Sequence, residues 1–566
     1  MKVTDYIVEF ISQKGVRDCF GYPGGVICHF IDSVSKCSDI TAHINYNEQG
    51  SAFAACGYAQ FSGKPGVAYT TSGPGATNLI TGIANAYFDS IPSIFLTGQV
   101  DTYALASGFP VRQRGFQETN IVSMVKDITK WAVRIDDPGN IKYCLEKAYY
   151  IAISGNPGPV VLDLPADIQR AEINLDSMKS FSAPVDTMID YESIANEILT
   201  IISKHKRPVI IAGNGIKQAG EKESFRKLAE RLKVPIVSSL PAFDLLPFTH
   251  PLNYGFVGTN GHRYANFLLG KSDLIISIGS RLDIRQIGLS RDKFAPQAQI
   301  IRVDIDKEVL AYHIHNNDIN YCANLKQLIS ECLKQSITCE FSKWTGICDQ
   351  IKKELIGFDD REYNTLISQI SDTIPDGVNY TIDVGQHQLW FAQSAKIKEH
   401  QSVFMSAGHG AMGYSLPAAL GVYYASCKPV VVFCGDGGLM MNVQELQFIK
   451  REQLPIKIIC VNNFSLGMIR GFQERNFNGN YQLTTETSGY LAPNLEKLAK
   501  AFGMKYSYIE KIEDARDINY MDLKPELIEL KITNKTILEP NFGQTGQIQD
   551  QLPYMDRELF NKLMSL

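Results

Sequence analysis

Short apolar runs recur along the chain, each bounded by glycine or polar turn residues and separated by stretches whose apolar positions return every three or four residues. The runs Pro159–Pro165, Pro208–Ala212, Asp273–Ile278, Gln299–Val303, Pro429–Cys434 and Pro455–Val461 lack polar alternation, as strands buried on both faces of a parallel sheet do. Between the last two lies a helix-length segment with Val443, Leu446 and Ile449 on one face. Strand, crossover helix and strand form a βαβ unit. The helical period also marks Met1–Val16 as an amphipathic helix. Alternation of this kind predicts an α/β protein built from doubly wound parallel sheets.

The periodic segments fall into three blocks. Residues 1–168 end on the strand Pro159–Pro165, and a polar connection runs to about 188. A second α/β block spans 189–335, with Gly213-Asn214-Gly215 directly after a strand, and a third spans 356–535 and holds the βαβ unit. Residues 536–566 form a tail mixing Gly, Pro and Gln before a short terminal helix, suited to folding over a site or to decorating the surface. The length of 566 residues agrees with three or four domains of about 150 residues each.

A net charge of −5 leaves no electrostatic footprint for nucleic acid. No run approaches the roughly 20 apolar residues of a membrane-spanning helix, and Met1–Val16 carries acidic residues instead of a basic-then-apolar leader. A cytoplasmic protein is expected. Twelve cysteines without a CxxC pair, several inside apolar strands as Cys434 and Cys460 are, read as reduced core residues.

Chemistry enters at Gly435-Asp436-Gly437-Gly438, which closes one strand of the βαβ unit; Asn462-Asn463 closes the next, starting 27 positions after Gly435. A carboxylate and an amide leaving neighbouring strands lie side by side at the carboxyl edge of a parallel sheet, where such folds bind ligands. Oxygen donors there suit Mg²⁺ or Ca²⁺, not Zn²⁺. The glycines permit a tight turn whose N–H groups approach a phosphate, aided by the positive end of the next helix. A hard cation bridging protein to a diphosphate follows.

This motif resembles the metal–diphosphate motif of thiamine diphosphate (ThDP) enzymes, and its surroundings resemble the acetolactate synthase branch. Supporting segments are FGYPGG at Phe20–Gly25, NEQG at Asn47–Gly50, TSGPGATN at Thr71–Asn78 and DSIPSIFLTGQV at Asp89–Val100. Others are FQET at Phe116–Thr119, DVGQHQLW at Asp383–Trp390, GAMGYSLPAALG at Gly410–Gly421 and LGMIRGFQ at Leu466–Gln473. The resemblance implies a pyrimidine-binding domain, a central FAD/nucleotide-type domain and a diphosphate-binding domain. It assigns Glu48 to the carboxyl that hydrogen-bonds the aminopyrimidine ring, turning its exocyclic nitrogen into a base. Phe116 and Gln117 would line the approach to the reactive carbon, with Gly25 beside them as a third catalytic position; Pro23 and Asn78 are further cofactor contacts. Gly385, Gln386 and His387 would hold the diphosphate, and Met412, next to Gly410, would be the apolar wedge that bends the cofactor. Gly435, Gly437, Gly438, Leu466, Gly467 and Met468 complete the ThDP set. Magnesium would bind Asp436, the Asn463 side chain and the Ser465 carbonyl. In such enzymes Glu48 meets a diphosphate half held by another subunit, which implies a homodimer or homotetramer.

In the central block, Gly213-Asn214-Gly215, Gly258 and Asn260, Gly279-Ser280-Arg281, Asp283, Arg285, Asp304 and Ile305 resemble FAD-contacting pieces, with FAD in a structural role. The sequence departs from the family pattern at Lys126, usually arginine, and Ile284, usually aspartate. Asn47 replaces histidine, His409 replaces leucine and Phe472 replaces tryptophan. The last two define an expected acceptor pocket of altered shape. The tail Phe542–Leu566 resembles acetolactate-synthase-like proteins of polysaccharide and unusual-sugar formation, including yersiniose-type carboligases. The implied reaction is decarboxylation of a 2-oxo acid, pyruvate first, and transfer of the acetyl unit to a carbonyl acceptor such as a keto-sugar nucleotide. Acetolactate synthesis from two pyruvates is the alternative. A non-catalytic ThDP-fold binding protein is the third, opposed by intact Glu48, Asp436 and Asn463.

Overall fold

The computed structural model describes residues 1–184, 188–336, 339–533 and 535–566; positions 185–187 of the polar connection lie outside the described residues. Three six-stranded sheets follow one another, and every neighbouring pair of strands is parallel. The first contains β1 (Asp18–Gly21), β2 (Thr41–Ile44), β3 (Gly66–Thr70), β4 (Ser93–Gln99), β5 (Trp131–Arg134) and β6 (Pro159–Pro165), in the order β2-β1-β3-β4-β6-β5. The second contains β7 (Pro208–Ala212), β8 (Ile236–Ser238), β9 (Asn253–Phe256), β10 (Leu274–Ile278), β11 (Gln299–Asp304) and β12 (Ile319–Cys322), ordered β12-β11-β10-β7-β8-β9. That is the order of the dinucleotide-binding doubly wound fold. The third contains β13 (Asn379–Ile382), β14 (Val403–Met405), β15 (Val430–Gly435), β16 (Ile456–Asn462), β17 (Lys505–Ile509) and β18 (Glu526–Lys531), ordered β14-β13-β15-β16-β18-β17. Its topology repeats that of the first sheet. Interior strands β4, β15 and β16 are buried throughout, whereas the edge strands β5 and β12 are half-buried.

The crossover between β15 and β16 differs from the single helix the periodicity suggests. Asp436–Met441 and Glu445–Arg451 are separate helices, because Asn442 leaves helical geometry and donates to the Gly413 carbonyl at 2.9 Å and to Gln49 Oε1 at 3.2 Å. All twelve cysteines are free thiols, Cys434 and Cys460 fully buried. Among the described residues, no helix is long and apolar enough to cross a membrane.

One apolar core joins the first and third sheets, running from Ile7, Phe53 and Leu162 to Leu420, Cys434 and Leu527. Its centre is the pairing of helix Glu48–Ser62 with helix Ser415–Ser426. Both lack a polar stripe because both are enclosed. A Cβ at Gly57 would lie 2.2 Å from the Ala418 carbonyl oxygen, and one at Gly421 would lie 1.8 Å from that of Ala54, so the backbones touch through glycine. The second sheet has its own core, which takes in Trp344 and Ile351 of helix Ser342–Leu355 and Ile548, Met555 and Leu563 of the C-terminal segment.

Gly421→Ala is expected to force these helices apart, costing about 1–3 kcal/mol as other overpacked cores do. Gly346→Ala, on a helix position with open space around it, should raise stability by up to about 1 kcal/mol. Thermal melting of the two variants checks the opposite signs.

Candidate active site

Three strand ends converge at the carboxyl edge of the third sheet: β13 delivers Asp383, β15 delivers Gly435 and Asp436, and β16 delivers Asn462 and Asn463. Strand order reverses between β13 and β15, where such sheets open a crevice. Burial pushes the Asp436 carboxyl up to about 6, against hydrogen bonds from the Tyr490 hydroxyl at 3.1 Å and from the N–H groups of Gly437 and Ser465. Asn462 is committed elsewhere, donating to Glu529 Oε1 at 2.7 Å and accepting from the Phe464 N–H at 3.2 Å. Asn463 donates to Gln386 Oε1 at 3.4 Å and Thr536 Oγ1 at 3.2 Å, which leaves its oxygen beside Ser465, whose N–H it accepts at 3.3 Å. Between them Phe464 holds a left-handed backbone with φ of +54°, a strained state for a bulky residue.

Among the described residues, His387 Nε2 and Ser465 Oγ are buried here without a partner. Burial pushes the His387 ring down to about 4, so it is neutral at physiological pH. It crosses the turn closely enough that a Cβ at Gly435 would lie 3.2 Å from it, and one at Gly385 only 2.6 Å. A Cβ at Gly437 would meet Leu466 at 2.8 Å and Met412 at 3.5 Å, one at Gly438 would meet Asp383 at 2.9 Å, and one at Gly467 would meet Gln386 at 2.2 Å. The motif's glycines are therefore demanded by protein neighbours. Gly410 is exposed with φ of +68°, and Met468 is partly exposed nearby in sequence to Leu466.

In the first sheet Glu48 opens helix Glu48–Ser62, capped by the Asn47 side chain, which accepts from the Gln49 N–H at 2.8 Å. The buried Glu48 carboxylate accepts from Asn78 Nδ2 at 2.9 Å. Gln117 has φ of +63° and lies against Gly73 of the TSGPG turn, where a Cβ would be 2.9 Å from it. Phe116 is 85% exposed. Pro23 and Gly25 follow β1 at the surface, and a Cβ at Gly25 would meet no other described residue within 4 Å. His409 stacks on Phe88 with centroids 5.5 Å apart, whereas Phe472 packs edge-on against Phe477 at 5.9 Å. The two expected acceptor residues thus engage different neighbours.

A cavity of about 270 Å³ opens at the β7/β10 reversal of the second sheet. Asn214, Gly215, Asn260, Gly279 and Ser280 line it, together with Arg281, Asp283, Arg285, Asp304 and Ile305, and its far wall comes from Phe88 and Ala407 of the other two units. Gly213 and Gly258 stand behind this lining, where a Cβ would lie 2.0 Å from the Gly279 carbonyl and 2.3 Å from that of Arg285. Arg281 donates to the Phe88 carbonyl at 3.1 Å, and Asp283 caps the helix Ile284–Ile287. Ser239 Oγ, also at the cavity, is buried without a partner among the described residues.

Comparison with known proteins fits this geometry. The thiamine pyrophosphate enzyme models match as the N-terminal TPP binding domain over residues 1–124, the central domain over 195–332 and the C-terminal TPP binding domain over 383–526. The chain belongs to the thiamine pyrophosphate (thiamine diphosphate) enzyme family. It is 35% identical to the acetolactate synthase large subunit of Lactococcus lactis subsp. lactis (strain IL1403), across 95% of this chain and 93% of the relative. A probable acetolactate synthase large subunit of Methanocaldococcus jannaschii is 34% identical, across 95% and 91%, and acetolactate synthase 1, chloroplastic, of Oryza sativa subsp. japonica is 32% identical, across 97% and 88%. Within the family the chain falls in the acetolactate synthase-like branch, whose chemistry is ThDP-dependent C–C bond formation.

Sequence reasoning missed Asp383, Tyr490 and Thr536. Asp383 carries the signal of a carboxylate at a strand end, in the quoted segment DVGQHQLW; Tyr490 and Thr536 carry none. Asp383 accepts from the N–H groups of Val384 (2.8 Å), Gly413 (2.9 Å) and Ser415 (3.1 Å) and from the Ser415 hydroxyl (2.7 Å), tying the Met412 loop to β13. Asp383→Ala strands three buried donors and one part-buried donor and is expected to cost about 3 kcal/mol or more, against about 1 kcal/mol for Ser415→Ala. Melting midpoints in the order wild type, Ser415→Ala, Asp383→Ala check this.

Proposed function

We propose that this chain decarboxylates pyruvate and joins the acetyl unit to a second pyruvate, giving acetolactate. The observation that carries the reading is the crevice at Asp436, Asn463 and Ser465, where oxygen donors meet two unpartnered buried polar atoms. That donor set suits Mg²⁺ and a diphosphate. Asp436, the Asn463 oxygen and the Ser465 carbonyl would hold the metal, and His387 would satisfy its Nε2 against the diphosphate. Bound ThDP supplies an electron sink that lets a 2-oxo acid lose CO₂ and its remaining carbons add to another carbonyl. Glu48 would hold a proton against the aminopyrimidine ring, with Asn78 fixing its carboxylate. Gln117, pinned in its left-handed conformation, would orient a substrate oxygen, and Phe116 would cover the approach.

The relatives' names weight the acceptor toward pyruvate and away from the keto-sugar expected from the tail. One observation favours the sugar as a second reading: Phe472, half-exposed on helix Gly467–Asn476, stands where the resemblance expects tryptophan. Exposed Met440, Met441, Met468, Ile469, Phe472 and Phe477 around the metal turn support a homodimer or homotetramer that covers them. FAD in the central cavity is a further part of the proposal, supported by the β7/β10 crevice, the Arg281 and Arg285 side chains and the unpartnered Ser239 hydroxyl.

Incubated with Mg²⁺, ThDP and pyruvate alone, the purified chain should release CO₂ and form acetolactate, and a chelator should stop both. Glu48→Gln should lower turnover by about 100-fold or more. Turnover only on adding a keto-sugar would reject the acetolactate reading in favour of the second. Purified protein should carry flavin absorption that is released on denaturation; a colourless, fully active enzyme would remove FAD.

A further inference from the structure

Glu445 has no part in the chemistry above, yet it is a fully buried carboxylate spent on another domain. It begins helix Glu445–Arg451, nine residues after Asp436, and reaches the segment that leads into Glu48. Its Oε2 accepts from Asn45 Nδ2 at 2.9 Å and its Oε1 from the Tyr46 N–H at 3.0 Å; the Asn47 N–H also points at it. Gly50, two residues beyond Glu48, makes the room: a Cβ there would lie 2.6 Å from Glu445 Oε1. At the other end of the same helix, Arg451 donates to the Ile44 carbonyl at 3.2 Å. Residues 44–47 are thus gripped by both ends of one helix from the metal-binding unit.

We propose that Glu445 is a positioning residue that sets the direction of the Glu48 carboxylate. The inference rests on the cofactor reading of Glu48 and deepens it. Glu48 leaves the chain at the first helical residue, so its direction follows from the backbone of Asn45–Asn47. Three donors converge on Glu445 and fix that backbone to the crossover that also carries Asp436. A neutral amide at this place would present N–H to one of the donors it now accepts from. Burial pushes the Glu445 carboxyl up to about 7, so the grip is retained against a desolvation cost. Simple adhesion between domains has no need of such an arrangement, since the neighbouring glycine-tight helices already supply it.

The test uses the full-length protein with Mg²⁺ and ThDP and reads proton–deuterium exchange at the cofactor's thiazolium carbon by acid quench and NMR. ThDP affinity and melting temperature are measured alongside. Glu445→Gln is expected to slow exchange by at least about tenfold, in keeping with ångström-scale misplacement of a catalytic group, while ThDP affinity stays within roughly threefold. Gly50→Ala, which displaces the carboxylate without altering it, should do the same and serves if Glu445→Gln does not fold. Exchange unchanged in both, with Glu48→Gln abolishing it, overturns the proposal. So does a loss of exchange no larger than the loss of ThDP affinity, which would make Glu445 scaffold alone. Unchanged exchange in Glu48→Gln would instead bring down the cofactor reading, and the positioning role with it.

Discussion

Two helices without side chains at their crossing points hold this molecule together. Gly57 and Gly421 let helix Glu48–Ser62 and helix Ser415–Ser426 approach until peptide oxygen meets α-carbon, and the cores of two sheets merge across that seam. Dense packing of this sort has little give. Glu48 starts one helix, and the Met412 loop runs into the other. The position of Glu48 relative to the third unit of its own chain is consequently fixed by backbone contact, before any hydrogen bond is counted.

Three buried carboxylates near that seam differ in what satisfies them. Asp383 meets four donors from its own unit and has nothing left to offer a ligand. Glu445 is occupied by residues 45–47 of the other unit. Asp436 has a tyrosine hydroxyl and N–H groups, and unpartnered His387 and Ser465 atoms lie close by. A buried charge needs compensation, and burial still holds the Asp436 carboxyl above its usual range despite those donors.

Much of this was legible from the chain because it is local. The strands Pro159–Pro165 and Pro208–Ala212 coincide with β6 and β7, since apolar runs in doubly covered parallel sheets need no partner to be recognised. The Gly435–Gly438 turn and Asn462-Asn463 could be paired because a βαβ unit brings consecutive strand ends together. Interactions between distant segments left no such trace. Glu445 reads as an ordinary helix-start glutamate until Asn45, 400 residues earlier, is seen against it. Tyr490 lies in an irregular segment, and its bond to Asp436 spans 54 positions. The break at Asn442 was hidden for the same reason: its cause is Gly413 and Gln49, on other elements.

The C-terminal segment threads back from the third unit into the second. Thr536 is wedged under Asn463 and Gln386; farther on, Gln551 donates toward the carbonyls of Gly258, Thr259 and Gly261, and Leu563 is sealed inside a core begun at Ala195. Polypeptides emerge from the ribosome amino end first. The middle unit must therefore wait, with an open flank, until the segment around Leu563 is translated, and a ribosome stalled anywhere in the third unit would display an unfinished central fold to chaperones and proteases.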